Sequence, residues 1–353
     1  MTAPAWILRG ELPGQVAHTC LYDSHEWLSS WEPIEIESRR RHAYVTTRER
    51  EPAGWPVVPL YLVDRSPFWH GYELQSGLTC IADGPLVFAG STYSMYSRRG
   101  EVLPELVHGA YATAMEWIAS GEAELLVVPN LTDAGVASWV ATAGEPVGRV
   151  LLDRTYWCDL SPDFGGYMLR QLPRKIRRDV ERRRRRAAER GLRMELLAGA
   201  AAGELVEAAL PLTVGTTDEH DWPALYDAET LHAFLRVPGA TMAVARVDDR
   251  LVGVFFGFRH GAELTYMCGG VDYASLPELS TYVALMYHCI ETACGQGVSR
   301  IEWGRDNYRF KERHGLTGAD LWALVYAGDS HRPELGQALT QMRETMCAYI
   351  RQG

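Results

Sequence analysis

Between positions 301 and 315 the chain reads Ile-Glu-Trp-Gly-Arg-Asp-Asn-Tyr-Arg-Phe-Lys-Glu-Arg-His-Gly. Asp306, Tyr308, Lys311 and His314 fall within nine residues. A carboxylate, a phenol, an ammonium and an imidazole could together move protons and donate to an oxygen that gathers charge. Residues 299–303 alternate polar and apolar, as a strand end does, and Gly304 breaks the run. A loop leaving a buried strand is a common place for chemistry in α/β domains. The same residues would also suit a solvated amphipathic helix anchored by Phe310.

A second stretch carries charge. From 170 to 193 stand Arg170, Arg174, Lys175, Arg177, Arg178, Arg182 to Arg186, Arg190 and Arg193, twelve cations against Asp179, Glu181 and Glu189. The local charge is +9 in a chain of net charge −10, which leaves −19 for the remainder. Such asymmetry points to an anionic partner: nucleic acid, a nucleotide phosphate or an acidic lipid surface. Arg174, Lys175 and Arg178 fall near one helical face and form the expected phosphate clamp. Crowding from Arg182 to Arg186 is costly without an anion. The competing reading is a solvated helix eased by pairs such as Glu181–Arg185.

Composition narrows the class. A length of 353 residues suggests two domains, and 47% apolar content is enough for each to bury a core. No run of about 18 apolar residues would span a membrane, and the N-terminus lacks a signal-peptide pattern. The seven cysteines are scattered, without a Cys-x-x-Cys pair or a nearby histidine cluster. This argues against disulfides and zinc, and for a reducing cytoplasm.

The elements that would position these groups follow from periodicity. In the first half a helix is expected after Asp23 or Ser24, strands at 42–47 and 55–63, and a turn-rich loop at 64–71. A polar and aromatic segment between glycines covers 91–99. A helix at 103–120, a strand at 124–128, a helix at 131–143 and a strand at 149–159 complete that half. Pro173 opens the basic helix and Gly191 stops it. A helical stretch at 204–210 precedes a polar loop at 213–221 and a short helix at 228–235. Strands at 241–247, 250–258 and 263–268 lead to Gly269-Gly-Val-Asp272-Tyr. A helix at 279–295, strands at 298–303 and 321–327, and a closing helix at 333–351 end the chain.

Three antiparallel strands, helix, strand, loop and strand resemble the core of the GNAT acyltransferase fold. The run from Gly166 through Pro173 and Lys175 to Arg183 resembles the basic helix linking the two halves of Fem-like and BioF2-like acyltransferases. Asp248-Asp-Arg-Leu-Val-Gly253, the Gly269 motif, Gly295-Gln-Gly-Val-Ser-Arg-Ile-Glu-Trp-Gly304 and Tyr308-Arg-Phe-Lys311-Glu-Arg-His-Gly315 are similar to the C-terminal repeat of that family. The resemblance implies an α/β (α+β) fold of tandem GNAT-like domains with mixed central sheets flanked by helices. Expected boundaries are 1–160 for the acceptor side, 161–200 for a basic connector and 201–353 for acyl transfer.

The activity implied is amide formation, an amine attacking an activated acyl carbonyl. In Fem-type enzymes a Phe-Lys pair sits at the reacting ester. Phe310-Lys311 matches it, with Lys311 polarising the carbonyl and Phe310 pinning its stem; the alternative is an exposed helix lysine. Asp272 and Asp306 could hold the substrate amine or take its proton, or could serve as turn residues. Tyr266, Tyr282 and Tyr308 could donate to a phosphate or carbonyl, or could be rim aromatics. Where many GNAT enzymes carry a glycine-rich pyrophosphate loop, this chain has Tyr273-Ala-Ser-Leu-Pro-Glu-Leu-Ser-Thr. Pro277 removes an amide donor and Glu278 adds a like charge, which favours aminoacyl-tRNA over acyl-CoA as donor. The implied partners are tRNA and a small-molecule or peptide amine, with no tightly bound cofactor. A silent GNAT-like module that binds RNA or a protein is the alternative outside enzymes.

Overall fold

A computed structural model of the chain describes residues 5–31, 37–219, 222, 225–328 and 333–352. In chain order the elements are β1 (Trp6–Arg9), β2 (Val16–Ala17), α1 (His25–Trp31), β3 (Arg39–Thr47), β4 (Trp55–Val63), α2 (Pro67–Gln75) and β5 (Leu86–Ala89). Then come α3 (Pro104–Ala119), β6 (Leu125–Leu131), α4 (Asp133–Ala143), β7 (Gly148–Asp159), α5 (Phe164–Gln171), α6 (Arg174–Glu189) and β8 (Leu192–Ala198). They continue as α7 (Gly199–Ala202), α8 (Val206–Glu219), α9 (Ala228–Arg236), β9 (Ala240–Val247), β10 (Arg250–His260) and β11 (Glu263–Val271). The last are α10 (Leu276–Leu279), α11 (Thr281–Gly295), β12 (Arg300–Gly304), α12 (Tyr308–Arg313), β13 (Thr317–Ala327) and α13 (Leu335–Gln352).

Two compact units form, residues 1–154 with 319–353 and residues 155–318. The expected boundaries differ from these at both ends. The final strand and helix fold with the first unit because β13 pairs antiparallel with β6, Leu324 opposite Val128. Leu324 is fully buried among Leu126, Leu106 and Trp139. From α13, Gln341 Nε2 also donates to the Ser76 carbonyl at 2.8 Å. The basic segment is no separate connector, since α6 and β8 belong to the second unit.

The second unit orders its strands β7-β12-β11-β10-β9-β8. Strands β8 to β11 are antiparallel neighbours, and β9 and β10 are rich in the Val, Phe and Ala that suit a sheet buried on both sides. Helix α11 crosses over from β11 to β12, which makes that pair parallel. Its face of Ala284, Leu285, Met286 and Ile290 is fully buried.

Helix α8 departs from the expectation of a polar loop at 213–221, of which residues 220 and 221 lie outside the described ones. The threonines that suggested a loop return their hydroxyls to their own helix. Thr213 Oγ1 donates to Leu210 O at 2.9 Å, Thr216 to Leu212 at 3.2 Å and Thr217 to Val214 at 2.8 Å. Pro211 lies inside this helix, and a β-carbon on Gly270 would stand 2.0 Å from the Leu212 carbonyl oxygen. Glycine at 270 thus lets α8 lie directly on β11. Strands β1, β2, β5 and β8 and helix α2 also escape the periodicity reading; each is short or mixed in pattern.

Gly270→Ala is expected to lower stability by about 3 kcal/mol or more, read from the urea midpoint. Gly215→Ala, in the same helix with nothing within 4 Å of the added carbon, serves as its control and changes stability by less than about 1 kcal/mol.

Candidate functional site

Strands β11 and β12 pair through only three residues, Glu263↔Arg300, Leu264↔Ile301 and Thr265↔Glu302. Each then carries an extra residue relative to its outer neighbour. Met267 has no partner between Gly257↔Tyr266 and Phe256↔Cys268, and Trp303 none between Glu302↔Trp157 and Gly304↔Tyr156. Bulges bend strands and increase their twist. Two of them side by side end the ladder and open a wedge. At its closed end Tyr266 and Trp303 stack at 4.9 Å and 21°. Phe255 meets both edge-on, at 5.8 and 6.1 Å.

Past the wedge the chain turns through three left-handed residues, Gly304 (φ 69°), Asp306 (φ 61°) and Asn307 (φ 52°). Asp and Asn tolerate this region better than other residues with side chains, but consecutive ones are costly and need outside support. Lys311 supplies it. Its side chain is 1% exposed, and Nζ donates to the carbonyls of Gly304, at 3.0 Å, and of Arg305. The ring of Tyr156 lies 5.6 Å from the ammonium. Lys311, expected at a reacting carbonyl, thus commits two of its three N–H donors to the backbone and acts as a positioning residue.

Phe310 does not pin the lysine stem as expected. Its ring stacks on His314 at 4.1 Å and meets Tyr282 edge-on at 5.2 Å. His314 Nδ1 lies 2.7 Å from the Tyr287 hydroxyl. Burial, then the nearby Arg313 and Arg183, push the imidazole down to about 4, so it is neutral and accepts from the phenol. Together these contacts dock α12 on α11. Tyr308 is buried against the Tyr156 ring at 6.3 Å. Tyr266 is likewise walled in by the wedge stack.

The two aspartates separate in role. Asp272 accepts from Arg250 Nη1 at 2.7 Å, Ser275 Oγ at 2.8 Å and the Ala274 amide at 3.2 Å. Partial burial works against its charge, but Ser275 and Arg250 outweigh it and leave the carboxyl below its usual range. It closes a turn. Asp306 is half-buried beside two phenols. Burial, with the charge of Asp306 added, holds both Tyr282 and Tyr273 above the ordinary tyrosine range. Both phenols therefore stay protonated and able to donate.

Tyr273 was missed although it stands in the Gly269 motif, one place after the aspartate that drew attention. Glu219 and Thr216 also act on it, and reading α8 as a loop hid both. On β11 Cys268 is half-exposed, and burial raises its thiol above its ordinary range. The charge of Arg305 and the Cys268 thiol both act on Tyr226, whose phenol burial raises. No group of three metal-ligating side chains forms among the described residues.

The basic helix divides in two. Asp179 binds Arg182 and, at 2.8 Å, Arg183; Arg184 binds Glu291, Arg185 faces Glu189, and Arg190 binds Glu278 at 2.7 Å. Four of the five crowded arginines, expected to need an anion, thus meet carboxylates of the protein, Arg182 and Arg183 sharing Asp179. Arg174, Lys175 and Arg178 are exposed and make no ion pair among the described residues, nor do Arg170 and Arg177. They surround a helix start that has no acid in its first turn and no side-chain cap. Five cations add to the positive end of the helix dipole there.

Residues 174–312, which include this helix, the wedge and the turn, match the family model of an acetyltransferase (GNAT) domain. FemX has a similar structure over 93% of this chain and 95% of its own, with a TM-score of 0.57 and 11% identity. The C-terminal domain of a protein named as a lysylphosphatidylglycerol synthetase, from Agrobacterium fabrum, is similar over 81% of this chain and 85% of its own (TM-score 0.53, 13% identity). So is a conserved protein of unknown function from Bacteroides thetaiotaomicron, over 86% and 90% (TM-score 0.53, 10% identity). At such identities the likeness is one of fold. No curated protein sequence matches the chain. Residues 174–312 are thus similar to a GNAT acetyltransferase domain, within a chain whose fold is like that of FemX. Among the described residues no helix is long and apolar enough to cross a membrane.

The chain holds 33 arginines but only two lysines, Lys175 and Lys311. An amine-selective reagent should modify Lys175 rapidly and leave Lys311 protected until the protein unfolds, as peptide mass mapping would read. Equal labelling rates would contradict the buried ammonium. For His314 the direction with pH is also set. Between about pH 6.5 and about 4 the unfolded chain takes up a proton there that the folded protein resists, so stability falls as pH drops through that window. His314→Gln should flatten that part of the pH profile of the urea midpoint.

Proposed function

We propose that the protein is an N-acyltransferase that forms an amide by moving an aminoacyl group from aminoacyl-tRNA to an amine acceptor. The observation that carries the donor assignment is the division of α6. Its paired arginines fasten it to α10 and α11, while Arg174, Lys175 and Arg178 remain for phosphates. A rigid cationic helix end suits the backbone of an acceptor stem, where phosphate contacts fix register.

The chemistry then falls to the groups around the turn. Asp306 receives the ammonium form of the acceptor and takes its proton. The amine nitrogen attacks the acyl carbon, the C–N bond forms, and the ester C–O bond breaks. The ribose oxygen leaves with a proton from Tyr282 or Tyr273, and the second proton of the attacking nitrogen passes to the phenolate so formed, which leaves a neutral amide and restores the phenol. Backbone N–H groups along the diverging edge of β11 are placed to receive the carbonyl oxygen, in the way a strand edge pairs with an extended ligand. Lys311 acts one step removed, by holding Asp306 in its left-handed conformation.

An acyl-CoA donor is the second reading, and two contacts favour it. Glu278, expected to repel a pyrophosphate, is neutralised by Arg190, and Arg183 reaches Ser280 at the start of α11 at 3.4 Å.

Filter binding with charged tRNA, set beside calorimetry with acetyl-CoA, separates the two. Charge reversal at Arg174, Lys175 and Arg178 should weaken tRNA binding and reduce the salt slope of log K by about two to three. Tight CoA binding with indifference to tRNA would transfer the assignment to the second reading. Asp306→Asn should lower turnover about a hundredfold with binding kept. Unchanged turnover there would remove Asp306 as the base.

A further inference from the structure

The first unit has its own parallel pair that parts early. Strands β5 and β6 pair only from Leu86↔Leu125 to Phe88↔Val127. The gap beyond is filled by the chain itself. Asn130, left-handed at φ 57°, donates its side-chain amide to the carbonyls of Ser91, Thr92 and Ser94 at 3.1, 3.1 and 2.7 Å. The Ser97 amide donates to Asn130 O at 3.2 Å, and its hydroxyl to the Pro129 carbonyl. Residues 89–96 are buried, and the plug ends at Arg98.

Arg98 is held on both sides, by Ser97 on β6 and by the Arg99 amide, which donates to Thr19 Oγ1 at 3.1 Å. Its side chain is 15% exposed. Nε and Nη1 are sealed from solvent and donate to nothing, whereas Nη2 is not sealed. The facing carboxylate is Asp23, whose Oδ2 lies 3.7 Å from Nη1, beyond hydrogen-bond reach. Asp23 cannot turn toward it cheaply. Its oxygens already accept from the Thr19 amide at 2.9 Å, the Thr19 hydroxyl at 2.9 Å and the Cys20 amide at 2.8 Å. Three other guanidiniums with a sealed Nε have partners close by. Arg9 lies over Trp55, Arg149 lies over Trp322 with Nη2 on Asp133, and Arg246 lies beside Glu195.

A guanidinium keeps its charge in any site, and sealed donors without acceptors carry a desolvation cost. A position fixed by backbone bonds on either side, whose sealed donors have the Asp23 charge nearby but no acceptor within hydrogen-bond reach, is preorganised for a ligand. We propose that Arg98 forms an oxyanion-binding site in the first unit, for a carboxylate or phosphate group of a small molecule entering at Nη2. Arg99, stacked over Tyr96 at 5.3 Å, adds a second positive charge next in the chain. The proposal does not rest on the transferase reading.

The test uses the full chain labelled with 15N-arginine. It is titrated with inorganic phosphate and, separately, with acetate, at an ionic strength held constant with chloride. One Nε–H resonance, missing from Arg98→Gln, should shift saturably, and the anion that saturates first names the chemistry. Arg98→Gln should weaken binding of that anion about tenfold or more. Arg98→Lys keeps the charge and serves if the glutamine variant fails to fold; it too should bind more weakly, because an ammonium lacks the planar donor set. The proposal is overturned if neither anion moves the resonance beyond the effect of chloride, or if the variants bind as the parent does.

Discussion

Two strands that run parallel over three residue pairs and then part leave a row of backbone groups outside the ladder. Burying such a row without partners is costly, so the gap must be filled or be met by a ligand. The parting of β11 and β12 has a local cause, the bulges at Met267 and Trp303 on adjacent strands. Tyr266 and Trp303 stop the closed end with a ring stack, which sets how far a ligand can enter. The first unit meets the same constraint differently, by folding residues 90–97 into its gap and anchoring them through Asn130. One topology thus yields an open wedge in one unit and a plugged one in the other.

At the mouth of the wedge the turn is expensive in itself, with Asp306 and Asn307 both left-handed. A buried lysine supports it because a compact ammonium can serve two neighbouring carbonyls, where a planar guanidinium would need a wider fork. The choice is visible against the background of the chain, in which arginine holds 33 of 35 basic positions. A sequence that otherwise uses arginine places lysine where geometry demands a point donor. The Phe-Lys resemblance pointed to a lysine whose contacts in this structure go to the backbone of the turn.

Much of the second unit was legible because its strands are long and β-branched or aromatic, and because α11 has a clear apolar stripe. Helix α8 was not, since a threonine-rich run with an internal proline has the composition of a loop. Only the hydroxyl bonds back to its own carbonyls reveal why it stays helical. The same limit applied to the site. Asp306 and Tyr282 were identified and are brought together. Tyr273 was overlooked, because neighbouring it with Asp306 depends on a turn whose left-handed residues no periodicity encodes. Assigning β13 and α13 to the second half followed sequence order, and only the pairing of Leu324 with Val128 reassigns them.

The charge pattern carries the last step. Counting twelve cations in the basic segment implied a single polyanion site along the whole helix. The carboxylates that answer Arg182 to Arg185 and Arg190 include Glu278 and Glu291, a hundred residues away in the chain and invisible to a local count. Most of the cations left without an ion pair lie around the start of the helix, where its dipole adds to the side chains. The sum of these is a short, rigid patch of positive potential. On the proposed reading a few phosphates would sit there in fixed register, positioned as well as attracted. A diffuse arginine face would attract without positioning, and an acyl donor whose ester must meet one amine needs both.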